Sequence, residues 1–262
     1  MVHGWMDVSA SFQFVVDCLM EDRYIIAPDW RGYGLTSAPH TDNYWQPDYL
    51  ADLDFLLDSL ELEQVDLLGH SMGGNIAITY AGIRPERIRR LINLEGFGMP
   101  KTRPENAAKR YVQWFGELKK LHKGELNLTP YASVDGVARR LMKTNKRLSE
   151  DKANWLAQYW AAEVGNQWKI LGDPAHKVVN ANLYRVEEVL AIFGQITAPT
   201  LAIEAANNEM DKWWDGKYTL AEYHERLKAV PNCKVAQVAG AGHMIHHDQP
   251  EVLAQMIETF LT

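Results

Sequence analysis

The sequence predicts an α/β protein: a mostly parallel sheet flanked by helices, with a helical insertion. Three observations lead there. Short apolar runs end in polar or glycine-rich punctuation at 23–30, 64–71, 89–97, 198–205 and 233–242, as strands buried on both faces should read. Helix-period segments at 47–60, 74–83 and 249–261 separate most of them, and alternation of the two element types builds a parallel sheet. Between Gly98 and Ile196 the alternation stops, and helical segments rich in Trp, Tyr, Lys and Arg take over.

Size and composition agree. The 262 residues, 47% apolar and 23% charged, suffice for one sizeable core or a core plus a lid. A net charge of −7 without a long basic run gives no footprint for nucleic acid or an anionic membrane surface. Cys18 and Cys233 stand far apart with no C-x-x-C partner, so neither a disulfide framework nor a zinc site is indicated and a reducing cytoplasm fits. No apolar run approaches the roughly 20 residues that span a bilayer, and the opening residues lack a signal pattern.

In "VDLLGHSMGGN", Gly69-His70-Ser71-Met72-Gly73 forms a G-x-S-x-G between an apolar strand and a helical segment. On such a turn the serine hydroxyl projects above the sheet, and glycines two residues to either side remove the Cβ atoms that would clash. The helix start after Ser71 offers free N–H groups and a positive dipole end. A tight glycine turn with no chemistry is the bland alternative. A serine nucleophile needs a base. His243 in "GAGHMIHHDQPE" follows a strand and a Gly-Ala-Gly loop that can bring it to the same sheet edge. His246 and His247 stand beside it, but no acidic pattern completes a ligand spacing, so they are expected at the surface or against the insertion and no metal is expected. In "EDKANWLAQYWAAEV", read as one helix, Trp155, Leu156, Tyr159 and Trp160 share a face. They either pack the insertion onto the sheet or, for Trp155 and Tyr159, line a substrate pocket with His70 and Met244.

Taken together these motifs resemble the α/β-hydrolase superfamily over almost the whole chain. "VHGW" at 2–5 matches its His-Gly-x oxyanion turn, "PDWRGYGLT" at 28–36 resembles its D-x-R-G-x-G loop, and Ser71 and His243 match its elbow and late histidine. Within it, "ARRLMKTNKRLSED" at 138–151 is similar to the cap of serine hydrolase-like proteins. The resemblance implies an α/β-hydrolase core of residues 1–98 and 196–262, a cap of residues 99–195, an oxyanion hole from the backbone N–H groups of Trp5 and Met72, and structural roles for Asp29 and Arg31. It also implies a full strand ahead of His-Gly. Only Met1 and Val2 stand there, so about 20–30 further residues are expected before Met1.

A histidine base needs a carboxylate. The superfamily places it after a strand that here reads "PTLAIEAANN", where Asn208 holds the aspartate position. In some haloalkane dehalogenases the acid instead follows the strand after the elbow helix, and "NLEGFGMP" resembles that segment, with Glu95 in place. Glu95 is the preferred acid, and Glu209 or Asp211 is the alternative. Dehalogenases and epoxide hydrolases use an aspartate nucleophile, which the serine at 71 disfavours. The expected activity is a cofactor-free serine hydrolase, a carboxylesterase acting on a small-molecule ester or acyl substrate. Carbon–carbon bond hydrolysis, perhydrolysis, or a ligand-binding receptor with a vestigial triad are the alternatives.

Overall fold

A computed structural model describes residues 1–38 and 40–262; the side chain of Asp211 lies outside the described residues. Along the chain, α1 (Gln13–Val16) precedes α2 (Gln46–Ser59), β1 (Val65–His70), α3 (Met72–Ile83) and β2 (Ile88–Leu94). Then come α4 (Ala107–His122), α5 (Val134–Thr144), α6 (Glu150–Trp160), the strands β3 (Ala161–Val164) and β4 (Gln167–Ile170), and α7 (Val186–Phe193). The chain ends with β5 (Thr200–Ala205), α8 (Met210–Trp214), α9 (Leu220–Leu227), β6 (Cys233–Val238), α10 (Ile245–Asp248) and α11 (Pro250–Leu261).

β1, β2, β5 and β6 form a parallel sheet in that order, with Gly69 opposite Asn93 and Leu94 opposite Ile203. Because all four run the same way, the loops after β1, β2, β5 and β6 emerge at one edge. Two apolar clusters cover the faces. Ile76, Tyr80, Leu53 and Leu227 from α3, α2 and α9 pack on one side. Val15, Leu253 and Ile257 from α1 and α11 pack on the other.

The expected strand at 23–30 is a correction: the run makes no ladder. A strand needs a neighbour, and the backbone nearest this run is the segment at Met1 and Val2. Val2 bridges Gly69, with its N–H on Leu68 O at 2.8 Å, while the Met1 amino group donates to Ile26 O. A cavity of about 420 Å³ separates the two segments, lined by Ile26, Leu53, Val65 and Leu67 among others.

The insertion is not wholly helical. The helical reading of 150–164 ends at Trp160, where β3 begins, and β3 and β4 pair antiparallel with Val164 opposite Gln167. The turn is Gly165-Asn166, with Gly165 at φ +65°, a two-residue hairpin signal that helical periodicity upstream overshadowed. α5 and α6 are capped by Ser133 and Ser149, whose hydroxyls accept the N–H groups of Gly136 and Lys152. With the hairpin they build a third cluster around Val137, Leu156 and Ala161. α7 returns to the main core before the expected boundary at 196, placing Phe193 in the cluster that holds Ile76 and Tyr80.

Candidate active site

The G-x-S-x-G turn explains its own composition. Ser71 sits at φ +53°, ψ −115°, a conformation that costs an L-residue about 1–3 kcal/mol. A Cβ on Gly69 would lie 2.3 Å from Gly73 O, and one on Gly73 would lie 2.2 Å from Val2 O. Strand end, helix start and His-Gly turn therefore approach each other backbone to backbone. Ser71 N–H donates to Leu94 O at 2.8 Å, which ties the turn to the end of β2. Glu95 follows at once. Its φ is +54°, and its N–H donates to Ile203 O.

His243 arrives from the far strand, two residues ahead of α10. Its Nε2 lies 2.9 Å from Ser71 Oγ, and its Nδ1 lies 3.2 Å from Glu95 Oε2. The carboxylate accepts the Nδ1 proton, so the ring presents a bare Nε2 to the serine hydroxyl. Glu95 Oε1 accepts the Ala205 N–H at 2.6 Å, fixing the carboxylate from its other side. Burial pushes the Glu95 carboxyl above its ordinary range, and the His243 contact offsets part of that rise.

Asn208 and Glu209 have partners of their own. Asn208 closes its own turn, donating to Ala205 O and accepting from Met210 N–H. Glu209 pairs with Lys212 at 2.8 Å. Asp211, the other alternative, falls outside the described side chains. Glu204 accepts from Gln237 and contacts His224. β2 lies directly beside β1, and its end brings Glu95 within reach of His243 Nδ1.

The His-Gly turn is held by its histidine. His3 Nε2 accepts the Trp30 N–H at 2.9 Å, and Trp30 Nε1 donates to His3 O. Asp29 accepts the N–H groups of Ser9 and Leu35, and Arg31 pairs with Asp52 on α2, which is bracing rather than chemistry. Gly4, Trp5 and Met72 border the cavity beside Ser71. Met72 N–H is the first of α3 and has no intrahelical acceptor.

That cavity, about 900 Å³, spans the sheet edge and the insertion. Met244 lines it as expected, and His70 lies at its floor, donating from Nε2 to the His243 carbonyl at 2.8 Å. Burial first, then the charges of His246 and His243, holds His70 well below its ordinary range. Trp155 and Tyr159 are a correction: neither lines the cavity. Trp155 packs edge-on against Phe14 of α1, and Tyr159 is half-exposed beside it. The cavity-facing residues of α6 are Leu156 and Trp160. Helical spacing put all four residues together, and only the contact with α1 separates them into two rows.

Sequence reading missed Trp213, whose ring stands edge-to-face on His243 at 4.4 Å between centroids, and Phe97, which lines the cavity directly after the Glu95 turn. The paired tryptophans just past Asn208 were the available signal for Trp213. His246 and His247 are a second correction. Both are buried, not at the surface, although His247 does meet the insertion through Lys152, and both stand with Asp7 in a cluster whose ligating atoms lie within 4.8 Å of one another. Burial, then neighbouring His246, holds His247 well below its ordinary range. The missing acid came from the opposite end of the chain, where no spacing could announce it.

The fold, the elbow and the serine–histidine–carboxylate line define a class. The model of the alpha/beta hydrolase fold family matches residues 1–250, and the chain belongs to that family. A serine hydrolase-like protein of Danio rerio is 25% identical over 99% of this chain and 80% of its own length. A cis-3-alkyl-4-alkyloxetan-2-one decarboxylase of Shewanella oneidensis is 30% identical over 100% and 81%. Among solved structures, a hypothetical protein of Pseudomonas aeruginosa superposes with a TM-score of 0.85 at 23% identity, covering 99% of this chain and 88% of that one. Among the described residues no helix is long and apolar enough to cross a membrane.

Proposed function

We propose that this chain is a serine hydrolase cleaving a carboxylic ester, or a related acyl substrate, through an acyl-enzyme intermediate. The observation that carries the reading is the unbroken line from Ser71 Oγ through His243 to Glu95, at 2.9 Å and 3.2 Å. Ser71 Oγ attacks the carbonyl carbon while His243 Nε2 takes its proton, and Glu95 stabilises the imidazolium that forms. The N–H groups of Trp5 and Met72 receive the developing oxyanion. As the tetrahedral intermediate collapses, the alcohol leaves with the proton from His243. A water molecule, deprotonated by the same ring, then attacks the acyl carbon and frees Ser71 and the acid.

Residues 99–195 serve as the cap in this reading, since Leu141, Leu156 and Trp160 wall the cavity opposite Ser71. With Phe97 and Trp213 they favour a small-molecule substrate with an apolar body. The two free thiols, Cys18 and Cys233, fit a reducing compartment such as the cytoplasm.

A fluorophosphonate probe tests this directly. It should label the protein once, on Ser71, and the Ser71→Ala variant should lose both the label and turnover of short nitrophenyl esters. Turnover above about a hundredth of wild type in that variant would remove Ser71 as nucleophile. Failure of Ser71 to take the probe in folded protein would favour a ligand-binding role.

A further inference from the structure

We propose that Asp7, His246 and His247 form a binding site for one divalent transition-metal ion, with zinc the best match, entered from the floor of the cavity. The proposal stands apart from the esterase reading and uses none of its three residues.

Two imidazoles and one carboxylate offer ligating atoms within 4.8 Å of one another, and His246 Nε2 lies 3.8 Å from Asp7 Oδ2. Tetrahedral zinc with bonds of about 2.0–2.2 Å places its ligand atoms roughly 3.3–3.6 Å apart, so the site closes by a modest contraction with release of the Ser11 hydroxyl from the Nε2 atoms. A nitrogen and oxygen donor set of this kind suits zinc and its neighbours, whereas calcium and magnesium prefer oxygen alone.

The cluster does not satisfy itself as a hydrogen-bond network. Ser11 Oγ bridges the Nε2 atoms of both rings, yet a hydroxyl has one proton. It donates to one ring and accepts from the other. The ring receiving the proton then carries its own hydrogen on Nδ1, and both Nδ1 atoms are buried without a partner. Asp7 Oδ2 is likewise buried without a hydrogen bond, with His246 Nε2 3.8 Å away. The nearest lysine, Lys152, spends its ammonium on the His247 carbonyl at 2.8 Å. Buried polar groups in a purely structural role normally find hydrogen-bond partners, and a carboxylate buried between two imidazoles is a place where a cation is stabilised. Asp7 and His247 both border the cavity, so the path inward is one side-chain layer deep. A bound ion would tie the turn at residue 7 to α10, which starts two residues after His243.

Chelator-treated protein titrated calorimetrically with zinc chloride should bind one equivalent with a Kd below about 100 µM. Added zinc should raise the melting temperature. Cobalt(II) in its place should give the visible absorption of a low-coordinate site. Asp7→Asn and His247→Gln should each weaken zinc binding by about tenfold or more. Anomalous scattering from crystals grown with zinc locates the ion without any variant. A peak flanked by Asp7, His246 and His247 supports the proposal. No saturable binding up to about 1 mM, a peak elsewhere, or unchanged affinity in both folded variants overturns it.

Discussion

Glu95→Gln removes one charge from the site while keeping the size of the side chain, and the structure says which way the new amide must turn. Position 95 receives the Ala205 N–H at 2.6 Å on one side and faces His243 Nδ1 at 3.2 Å on the other. The glutamine oxygen has to stay on Ala205, since an NH₂ there would meet another donor. The NH₂ is left facing His243, where it donates to Nδ1. That moves the ring proton to Nε2, and the ring can no longer accept the proton of Ser71. Lost tautomer and lost charge together should lower kcat on nitrophenyl esters by about 10²–10⁴-fold, equivalent to roughly 2.7–5.4 kcal/mol. Stability should move the other way. Burial raises the Glu95 carboxyl above its unfolded value, so the folded state holds its proton more tightly. The unfolded chain then binds fewer protons, and this group's contribution falls as pH rises from about 4.3 through the folded value. At pH 7 the glutamine variant should therefore melt no lower than wild type. Steady-state kinetics with a fluorescence or calorimetric melt measures both. A loss under about tenfold in folded protein, or a Glu209→Gln variant that loses more, would refute the argument.

Gly73→Ala places a methyl 2.2 Å from Val2 O, a backbone atom that cannot yield cheaply, so activity should fall steeply with a melting temperature several degrees lower; a normal variant would show the elbow to be looser than described. His70, His176 and His247 are all held below the ordinary histidine range, His176 at about 4. Each folded value is depressed, so the unfolded chain binds more protons below about pH 6.5, and denaturant stability should fall with acid by up to about 1.4 kcal/mol per pH unit for each ring. A stability flat from pH 7 to pH 5 would contradict their buried neutral state. Trp160→Ala should raise KM or lower kcat for bulky apolar esters, whereas Tyr159→Ala should change neither by more than about twofold; the opposite ranking would return Tyr159 to the pocket.

What was legible from sequence is what local sterics dictate. Gly69 and Ser71 announce their turn because a side chain on Gly69 would strike Gly73 a few residues on, while Gly73 is demanded by the backbone of Val2. Short apolar runs announce β1, β2, β5 and β6 because a strand buried on both faces can carry little else. The preference for Glu95 was also open to sequence reading, through a resemblance and the amide at 208.

Three features could not be read this way. The run at 23–30 has the composition of a strand, but composition does not supply a pairing partner, and the described residues give it no ladder. Residues 161–164 fall within the helical rhythm read over 150–164, yet closing the hairpin through Gly165-Asn166 buries Ala161 against α5 and α6. His246 and His247 look like solvent-facing residues of a helix start until Asp7 and Ser11 arrive from the opposite end of the chain. Sequence alone therefore determined the elbow, the sheet class and the residue types able to do the chemistry. Tertiary structure decided which of them meet, because parallel register and long-range packing set distances between residues that no local spacing encodes.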